Sequence, residues 1–229
     1  MDQKLPRALA SDLSYRERWG LTATIRRKLI ERLDWTAGFH IYGIYSRPMV
    51  APERPDPVIP GYCARLFRRG DEQELLACAK RPELELDSTF VHAALGKGDV
   101  CAAVLRNGQI VAFDWTAFTP TRVCDAVHVE FDRSYRYGYF AYTLPEYRGR
   151  HLARLVMPQR DRYLLEHGRT RSIAYISVDN EASLRRSAAL GSVRVGFAGY
   201  LKKGPVFVPF RTEGVRERGF RFFKLEQPI

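Results

Sequence analysis

Residues 137–157 carry the sequence YGYFAYTLPEYRGRHLARLVM, in which an aromatic run leads into a short basic turn. The aromatic run predicts a strand, and a helix is predicted to begin near His151. The turn between them, residues 148–153, places successive backbone N–H groups and two arginines at the amino end of that helix. Unpaired N–H groups and the helix dipole favour negative charge there, and Gly149 allows close approach to the backbone. The stretch therefore predicts either a phosphate site or an ordinary strand-to-helix connection with solvated arginines.

The chain is basic, with a formal net charge of +11 and a pI near 9.7 over 229 residues. Such a charge suits an anionic small ligand, a nucleic acid, an acidic lipid or an acidic protein. Since the basic residues are scattered rather than massed in one block, the charge alone does not indicate RNA or DNA. With 45% hydrophobic residues, the chain can bury one domain and carry an extension.

The sequence has no feature of a membrane or secreted protein. No apolar run approaches the ~20 residues that span a bilayer, and residues 1–12 lack the apolar core of a secretion signal. The cysteines are widely spaced without a CxxC pair, which favours neither a zinc site nor a disulfide framework; they are Cys63, Cys78, Cys101 and Cys124. We therefore expect reduced thiols in a cytoplasmic protein with no transmembrane segment and no metal.

Residues 1–60 are predicted to form an N-terminal extension, whose first twelve residues are loose. Within residues 13–33 the apolar side chains Leu21, Ile25, Leu29 and Leu33 recur at every fourth position. This spacing predicts an amphipathic helix that packs on its own domain, with contact to a membrane surface as the alternative. A strand is predicted over residues 38–45, and the proline-rich residues 48–60 favour a linker or a wrapping loop.

The main domain is predicted over residues 61–229 as a mixed α/β fold. Asn107-Gly108 between two apolar runs predicts a β-hairpin. Asp71 and either Asp87 or Ser88 are predicted helix N-caps, and Pro158 is predicted to kink a helix over 152–167. The other predicted elements are strands at 62–67, 126–131, 137–144, 172–178, 193–201 and 219–225, the last two around one hairpin loop, and helices at 71–79, 88–96 and 181–190.

Two motifs resemble those of the GCN5-related N-acetyltransferases, the GNAT superfamily. Residues 148–153 resemble its acyl-CoA signature, Arg/Gln-x-x-Gly-x-Gly/Ala, with His151 at the usual middle glycine. Asn180 and Ser183, followed by Leu190-Gly191, resemble its Asn-x-x-Ala/Ser helix that ends in Leu-Gly-Phe. If the middle position needs a positive φ angle, histidine carries a steric cost there.

This resemblance implies a GNAT-like fold, with a mixed, mostly antiparallel central sheet flanked by helices. It implies an enzyme that transfers an acyl group, most simply acetyl from acetyl-CoA, to an amine by direct attack on the thioester. Backbone groups of Tyr142, Thr143 and Leu144 would face the thioester and pantetheine, and Asn180 and Ser183 would lie beside the pantetheine arm. The pyrophosphate would be bound by Arg148, Gly149, Arg150, His151, Leu152 and Ala153.

An amine that attacks a thioester must lose a proton, so a base is expected near the reacting carbon. The candidates are Glu130, which we prefer, His128 and Asp114, although His128 and Asp114 also suit purely structural hydrogen bonds. Glu130 and His128 share one face if that stretch is extended.

Many GNAT members donate a proton to the leaving thiolate from a tyrosine, and Ser187 occupies that position here. The thiolate either leaves unassisted, or Tyr142, Tyr175 or Tyr200 serves as the acid.

The predicted partner is a small-molecule or peptide amine, with no nucleic acid; a homodimer is left open. The acceptor would lie among the helices of residues 71–96, the loop at 202–218 and the N-terminal extension, where Arg211, Arg216 and Arg218 favour an anionic acceptor. The alternatives are a non-catalytic acyl-CoA-binding module, a longer acyl chain or an acyl-carrier donor. The charge and the aromatic run at 135–142 also allow a nucleic-acid binder.

Overall fold

The computed structural model describes residues 12–51, 56–124 and 126–225. Its helices are α1 (Asp12–Trp19), α2 (Leu21–Ala37), α3 (Glu72–Cys78), α4 (Ser88–Gly96), α5 (Ala153–Glu166), α6 (Glu181–Ala189) and α7 (Glu213–Arg216). Its strands are β1 (Phe39–Pro48), β2 (Cys63–Phe67), β3 (Val100–Arg106), β4 (Gln109–Ala117), β5 (Thr121–Cys124), β6 (Val127–Glu130), β7 (Tyr135–Thr143), β8 (Arg171–Ser177), β9 (Val193–Lys203), β10 (Val206–Arg211) and β11 (Arg221–Lys224). Residues 1–11, predicted to be loose, lie outside the described residues.

The chain divides into two compact units, each built from separate stretches of sequence. The turn unit comprises the described residues of Pro48–Phe118 and Arg133–Ser172. The terminal unit comprises the described residues of Met1–Arg47, Thr119–Asp132 and Ile173–Ile229. The paired strands in both units are antiparallel wherever their register is defined, and helices accompany them. The predicted mixed, mostly antiparallel α/β fold class is therefore confirmed.

In the turn unit, four antiparallel strands follow the order β7-β4-β3-β2. The predicted hairpin joins β3 to β4, and Asn107 and Gly108 have the positive φ angles, 51° and 73°, that a tight type I′ turn requires. Helix α5 packs on this sheet through Leu155 and Val156, which are 3% exposed. The sheet and α5 thus enclose one hydrophobic core and fix where β7 ends and α5 begins.

Two acids and two arginines form a buried ion network in the turn unit. Arg160 of α5 donates to Asp161 at 2.9 Å and to Asp114 of β4 at 3.3 Å. Arg136 of β7 lies 3.8 Å from Asp114. Because a buried charge is costly unless it is paired, this network explains why α5, whose Arg160 lies 2% exposed, packs with a charged residue inside.

The terminal unit contains a four-stranded sheet with the order β10-β9-β1-β8 and a second sheet with the order β11-β6-β5. Strand β1 lies against β9 from the pair Phe39–Leu201 onward. The two backbones approach closely at Gly199, where an added Cβ would lie 2.0 Å from the carbonyl oxygen of His40. Glycine is therefore required at this crossing.

The predicted packing of the N-terminal amphipathic stripe is wrong. The predicted single helix is divided at Gly20, and α2 buries Ala23 and Thr24 instead. The stripe side chains are exposed, with Ile25 at 58% and Leu29 at 57%. Because Ala23 and Thr24 are small, the helix backbone can lie closer to its own unit on this face than on the leucine face. The apolar stripe therefore faces solvent.

The prediction of one loop between the last two strands is also wrong. Residues in that stretch form β10, which pairs with β9, and the final strand β11 pairs with β6 in the other sheet. The turn at Gly204, with a φ of 57°, closes the β9–β10 hairpin. Strand β10 lies at the edge of its sheet and pairs with β9 on one side only. Pro209 is tolerated there because an edge strand does not use every backbone N–H group for pairing.

In the described part of the chain, no helix combines the length and apolar character needed to cross a membrane.

Candidate functional site

The end of β7 is anchored before the basic turn begins. Tyr142 lies opposite Phe113 of β4 in the antiparallel register, and the next pair joins Thr143 to Ala112. The N–H of Leu144 then donates to the carbonyl oxygen of Val111 at 3.0 Å, and the Leu144 side chain is 1% exposed. The buried leucine fixes the point at which the chain leaves the sheet.

A left-handed turn carries the backbone from this anchor to α5. A short 3-10 helix, Pro145–Tyr147, comes first, and Arg148 then returns to extended backbone. Gly149 and His151 both have positive φ angles, 76° and 55°. Leu152 is helical and 4% exposed, which anchors the far side of the turn. The chain is thus held at both ends, and residues 148–151 between them are exposed.

Five consecutive backbone N–H groups in this turn, at residues 149–153, make no hydrogen bond with any described residue. The pairing resumes at Arg154, whose N–H donates to the carbonyl oxygen of His151 at 3.0 Å. The five donors stand at the amino end of a 14-residue helix, whose dipole adds partial positive charge. Such a row of donors can bind phosphate oxygens.

The two arginines of the turn are held by nearby groups of the turn unit. Arg148 donates from Nε to the carbonyl oxygen of Thr143 at 3.1 Å, and its guanidinium lies 5.7 Å from the Tyr142 ring centroid. Arg150 donates from Nη1 to the Tyr62 hydroxyl at 3.2 Å and from Nη2 to the carbonyl oxygen of Glu146 at 3.3 Å. Both cations therefore stay beside the row of N–H groups.

A cluster of aromatic rings and cations next to Arg150 was not predicted. The rings of Tyr62 and Tyr147 meet edge to face at 6.4 Å between centroids, and the Arg106 guanidinium lies within 5.7 Å of both. Tyr62 precedes β2, and Arg106 ends β3. No local sequence pattern relates these positions to the turn, because strand pairing brings them together.

His151 occupies the position at which the sequence predicts a steric cost for a residue other than glycine. Its φ angle of 55° is the left-handed value for which glycine is usual. The condition for a steric cost is therefore met. Histidine is among the residues that enter this region more often than most, so the turn keeps its shape without glycine.

The two preferred base candidates lie together in β6 of the terminal unit. His128 and Glu130 occupy one face of the strand, as predicted, since Val127 and Val129 are buried on the other. Arg221 of β11 donates from Nε to the Glu130 carboxylate at 2.6 Å. His128 Nδ1 lies 3.1 Å from the carbonyl oxygen of Ala126. Their catalytic roles stay predictions.

The other acid–base candidates occupy structural positions. Asp114 pairs with the guanidinium groups of Arg136 and Arg160 in the buried network. This pairing favours a structural role for Asp114. Tyr200 is 1% exposed, and burial, followed by the nearby Tyr42, raises the pKa of its phenol well above the usual range. A raised pKa makes a phenol a weaker proton donor, so Tyr200 suits the role of general acid poorly. Tyr175 packs on Tyr42 at 4.7 Å between ring centroids.

The second motif forms the start of α6 in the terminal unit. The Asn180 side-chain oxygen accepts a hydrogen bond from the N–H of Ser183 at 3.1 Å and caps the helix. Ser187 is a buried residue of the same helix. A capping role is sufficient to explain Asn180 locally, and contact of Asn180 and Ser183 with a cofactor stays a prediction.

Among the described residues, no group of three or more His, Cys, Asp or Glu side chains is arranged to hold a metal ion.

No family model and no curated protein matches the chain. It is similar in structure to a tandem GNAT protein from the clavulanic acid biosynthesis pathway, with 13% identity and a TM-score of 0.46 over 87% of this chain and 59% of that one. A putative GNAT-family acetyltransferase from Novosphingobium aromaticivorans aligns with 18% identity and a TM-score of 0.41 over 68% of this chain and 60% of that one. The aminoglycoside N-acetyltransferase AAC(6')-Iy in complex with CoA aligns with 15% identity and a TM-score of 0.43 over 66% of this chain and 99% of that one.

The chain spans less than two thirds of the length of the first two of these proteins. Both are described as GNAT proteins, the family that the two sequence motifs resemble.

Proposed function

We propose that this chain is an acyl-CoA-dependent N-acyltransferase that transfers acetyl from acetyl-CoA to an amine. The observation that carries the proposal is the row of five unpaired backbone N–H groups at residues 149–153, flanked by Arg148 and Arg150. A nucleotide diphosphate offers several anionic oxygens in a short span, and such a row can satisfy them together. The resemblance of the turn to the acyl-CoA signature supports the same ligand.

The donor set fits a pyrophosphate without rearrangement of paired groups. The N–H groups of the turn would bind its oxygens, and the guanidinium groups would add charge-assisted hydrogen bonds. The thioester and the pantetheine arm would use the backbone of Tyr142, Thr143 and Leu144 at the end of β7. Backbone N–H groups in fixed positions can stabilise the oxyanion that forms during acyl transfer.

In the proposed reaction, the amine nitrogen forms a bond to the thioester carbon, and the carbon–sulfur bond breaks. The sulfur leaves as thiolate, and the proton of the amine passes to a base. We propose Glu130 as that base, with His128 as the neighbouring alternative. The pairing with Arg221 at 2.6 Å holds the Glu130 carboxylate in one position. Tyr142 is the proposed proton donor to the thiolate if the thiolate does not leave unassisted.

The acceptor is proposed to be a small-molecule or peptide amine, and the location to be the cytoplasm. Free cysteines at Cys63, Cys78, Cys101 and Cys124 support a reducing compartment. A longer acyl-CoA would use the same turn because its diphosphate is unchanged. A carrier-bound donor would offer the turn the single phosphodiester that joins its pantetheine arm to the carrier.

Thermal shift with acetyl-CoA, longer acyl-CoAs and free CoA tests the donor assignment. We expect all of them to raise the melting temperature, since each carries the diphosphate. Arg148→Glu and Gly149→Val should weaken the shift, the first by reversing a charge and the second because valine is strained at a φ of 76°. If no ligand in the series changes the melting temperature, the donor assignment is wrong.

Matched controls separate ligand binding from general effects. Arg69→Glu makes the same charge change at an exposed arginine elsewhere in the turn unit. Gly168→Val places valine at another glycine of positive φ, 72°, with open space around it. Both controls should keep the ligand-induced shift of the parent protein. Equal losses in control and site variants would contradict the assignment of the turn.

A non-catalytic acyl-CoA-binding module is the second candidate, favoured by Ser187 at the tyrosine position and by its burial in α6. The two candidates differ in thiol release from acetyl-CoA with a panel of amines, aminosugars and peptides. Release of free thiol with any acceptor supports the transferase. Stabilisation by CoA without release across the panel supports the module.

A further inference from the structure

A pocket of about 890 Å³ lies in the terminal unit along β10, α7 and β11. Its lining includes four phenylalanines, Phe207, Phe210, Phe222 and Phe223. Phe222 is 1% exposed, and Phe210 lies on the opposite face of β10 from Phe207, where it stacks on Phe39. Phe207 and Phe222 each pack on the buried Tyr200 at 5.3 Å between ring centroids. A buried ring therefore supports Phe207 from beneath.

Among the described residues that line the pocket, four are cations and none is acidic. Its four positive side chains are Arg211, Arg216, Arg221 and Lys224. Arg211 donates to the carbonyl oxygen of Phe220 at 3.0 Å, which fixes its position and leaves its charge uncompensated by that contact. Two carboxylates outside the lining pair with Arg216 and Arg221. Among the described residues, Arg211 and Lys224 are therefore the lining cations without a carboxylate partner, and they place positive charge beside the apolar lining.

We propose that this pocket binds a small organic anion with a flat apolar body, such as an aromatic or acyl carboxylate. The body would bury apolar surface against the phenylalanine rings, and the anionic group would pair with the guanidinium or ammonium groups. The volume lies in the range of small-molecule sites, about 300–1,000 Å³. The lining residues all belong to the segment 205–224, outside the turn at residues 148–153, although Arg221 pairs with Glu130, the proposed base.

Isothermal titration with three naphthalene probes tests the inference on the intact chain. The probes are 2-naphthoate, 2-naphthyl phosphate and the neutral 2-naphthalenemethanol, which share one apolar body. We expect both anions to bind and the neutral probe to bind on the order of tenfold more weakly, since it cannot form the charge-assisted contacts. Tighter binding of the phosphate or of the carboxylate identifies which anion the pocket prefers. Equal binding of all three probes, or of none, overturns the proposal.

Variants locate the binding. Lys224→Gln removes an exposed positive charge from the lining and should weaken naphthoate about threefold, the size expected for a partly exposed ion pair. Lys80→Gln removes an exposed lysine of the turn unit and should leave the affinity unchanged. Phe207→Leu should weaken all three probes together, because it reduces the shared apolar contact. If Lys224→Gln and Lys80→Gln have the same effect, the pocket is not the site.

Discussion

The left-handed conformation of His151 can be tested by changing only its side chain. The structure gives this residue a φ angle of 55° with its side chain exposed. For a residue with a Cβ, this conformation costs roughly 1–2 kcal/mol of conformational free energy. A β-branched residue is a genuine outlier there. Glycine adopts this φ angle without strain, but it lowers the stability of the folded protein by about 0.4–1 kcal/mol because it increases the freedom of the unfolded chain.

The magnitudes follow from these opposing contributions. For His151→Gly the two contributions nearly cancel, so the free energy of unfolding should stay within about 1 kcal/mol of the parent. Valine is β-branched, so its strain should lie near the upper end of the range for this conformation, about 3 kcal/mol. After subtraction of the roughly 0.4–1 kcal/mol that glycine loses, we expect His151→Val to be about 2 kcal/mol less stable than the glycine variant. In a chain of this size, such a loss lowers the melting temperature by about 2–8 °C.

The affinity for CoA should follow the same order if the turn binds the diphosphate. A valine that moves the backbone away from positive φ must be returned to that conformation when ligand binds, and 1.4 kcal/mol corresponds to about a tenfold change in the dissociation constant. Urea unfolding and calorimetric titration with CoA measure the two quantities.

The control series is placed at His167, an exposed histidine with a negative φ of −97°. His167→Gly and His167→Val should not show the preference for glycine over valine. If valine at position 151 is as stable as glycine, the left-handed turn and the row of N–H groups that depends on it are both refuted.

Two further predictions concern the surface and the interior. Leu29→Glu should change the free energy of unfolding by less than about 0.5 kcal/mol, because the side chain is exposed. Leu155→Ala in the core should lower the free energy of unfolding by about 2–5 kcal/mol. A large loss of stability for Leu29→Glu, with a concentration-dependent mass in ultracentrifugation, would show that a second copy covers α2. Burial, opposed by Lys97, raises the pKa of Asp99 above 3.8, so the folded protein binds more protons here and this group's contribution to stability falls as the pH rises through the window from 3.8 to the raised value. Asp99→Asn should flatten that part of the stability–pH curve measured by urea unfolding, and an unchanged curve would contradict the burial of this charge.

The sequence alone was sufficient where local chemistry decides the backbone. Asn107-Gly108 predicts a tight hairpin because two successive residues must adopt positive φ, and both do. Asp87 was one of two predicted N-caps for α4, and its side chain accepts from the N–H of Phe90. Asp71, predicted in the same way, precedes α3 but makes no side-chain capping hydrogen bond. The basic turn was predicted in the same way, since a strand, a glycine and a helix occur within a few residues.

The sequence was insufficient where distant segments compete for one partner. The apolar stripe of α2 has the spacing of a buried face, yet Ala23 and Thr24 are buried in its place. Strand β11 was expected beside β9, but β10 takes that edge and β11 pairs with β6. The periodicity of a sequence predicts that one face of a helix or strand is apolar. It does not predict which segment covers that face, because the covering segment depends on pairings across the whole chain.

The anchoring of the basic turn bears on how strongly it can bind an anion. A ligand that must order a loose loop loses part of its binding energy to that ordering. Here Leu144 and Leu152 are buried on either side of the turn, and Arg148 and Arg150 are held by groups of the same unit. The donors therefore stand in place before a ligand arrives, and exposed N–H groups without protein partners lose only water when they bind phosphate. A turn that served merely to connect β7 to α5 would not need two anchors and two restrained cations, so its construction favours a binding role over a simple connection.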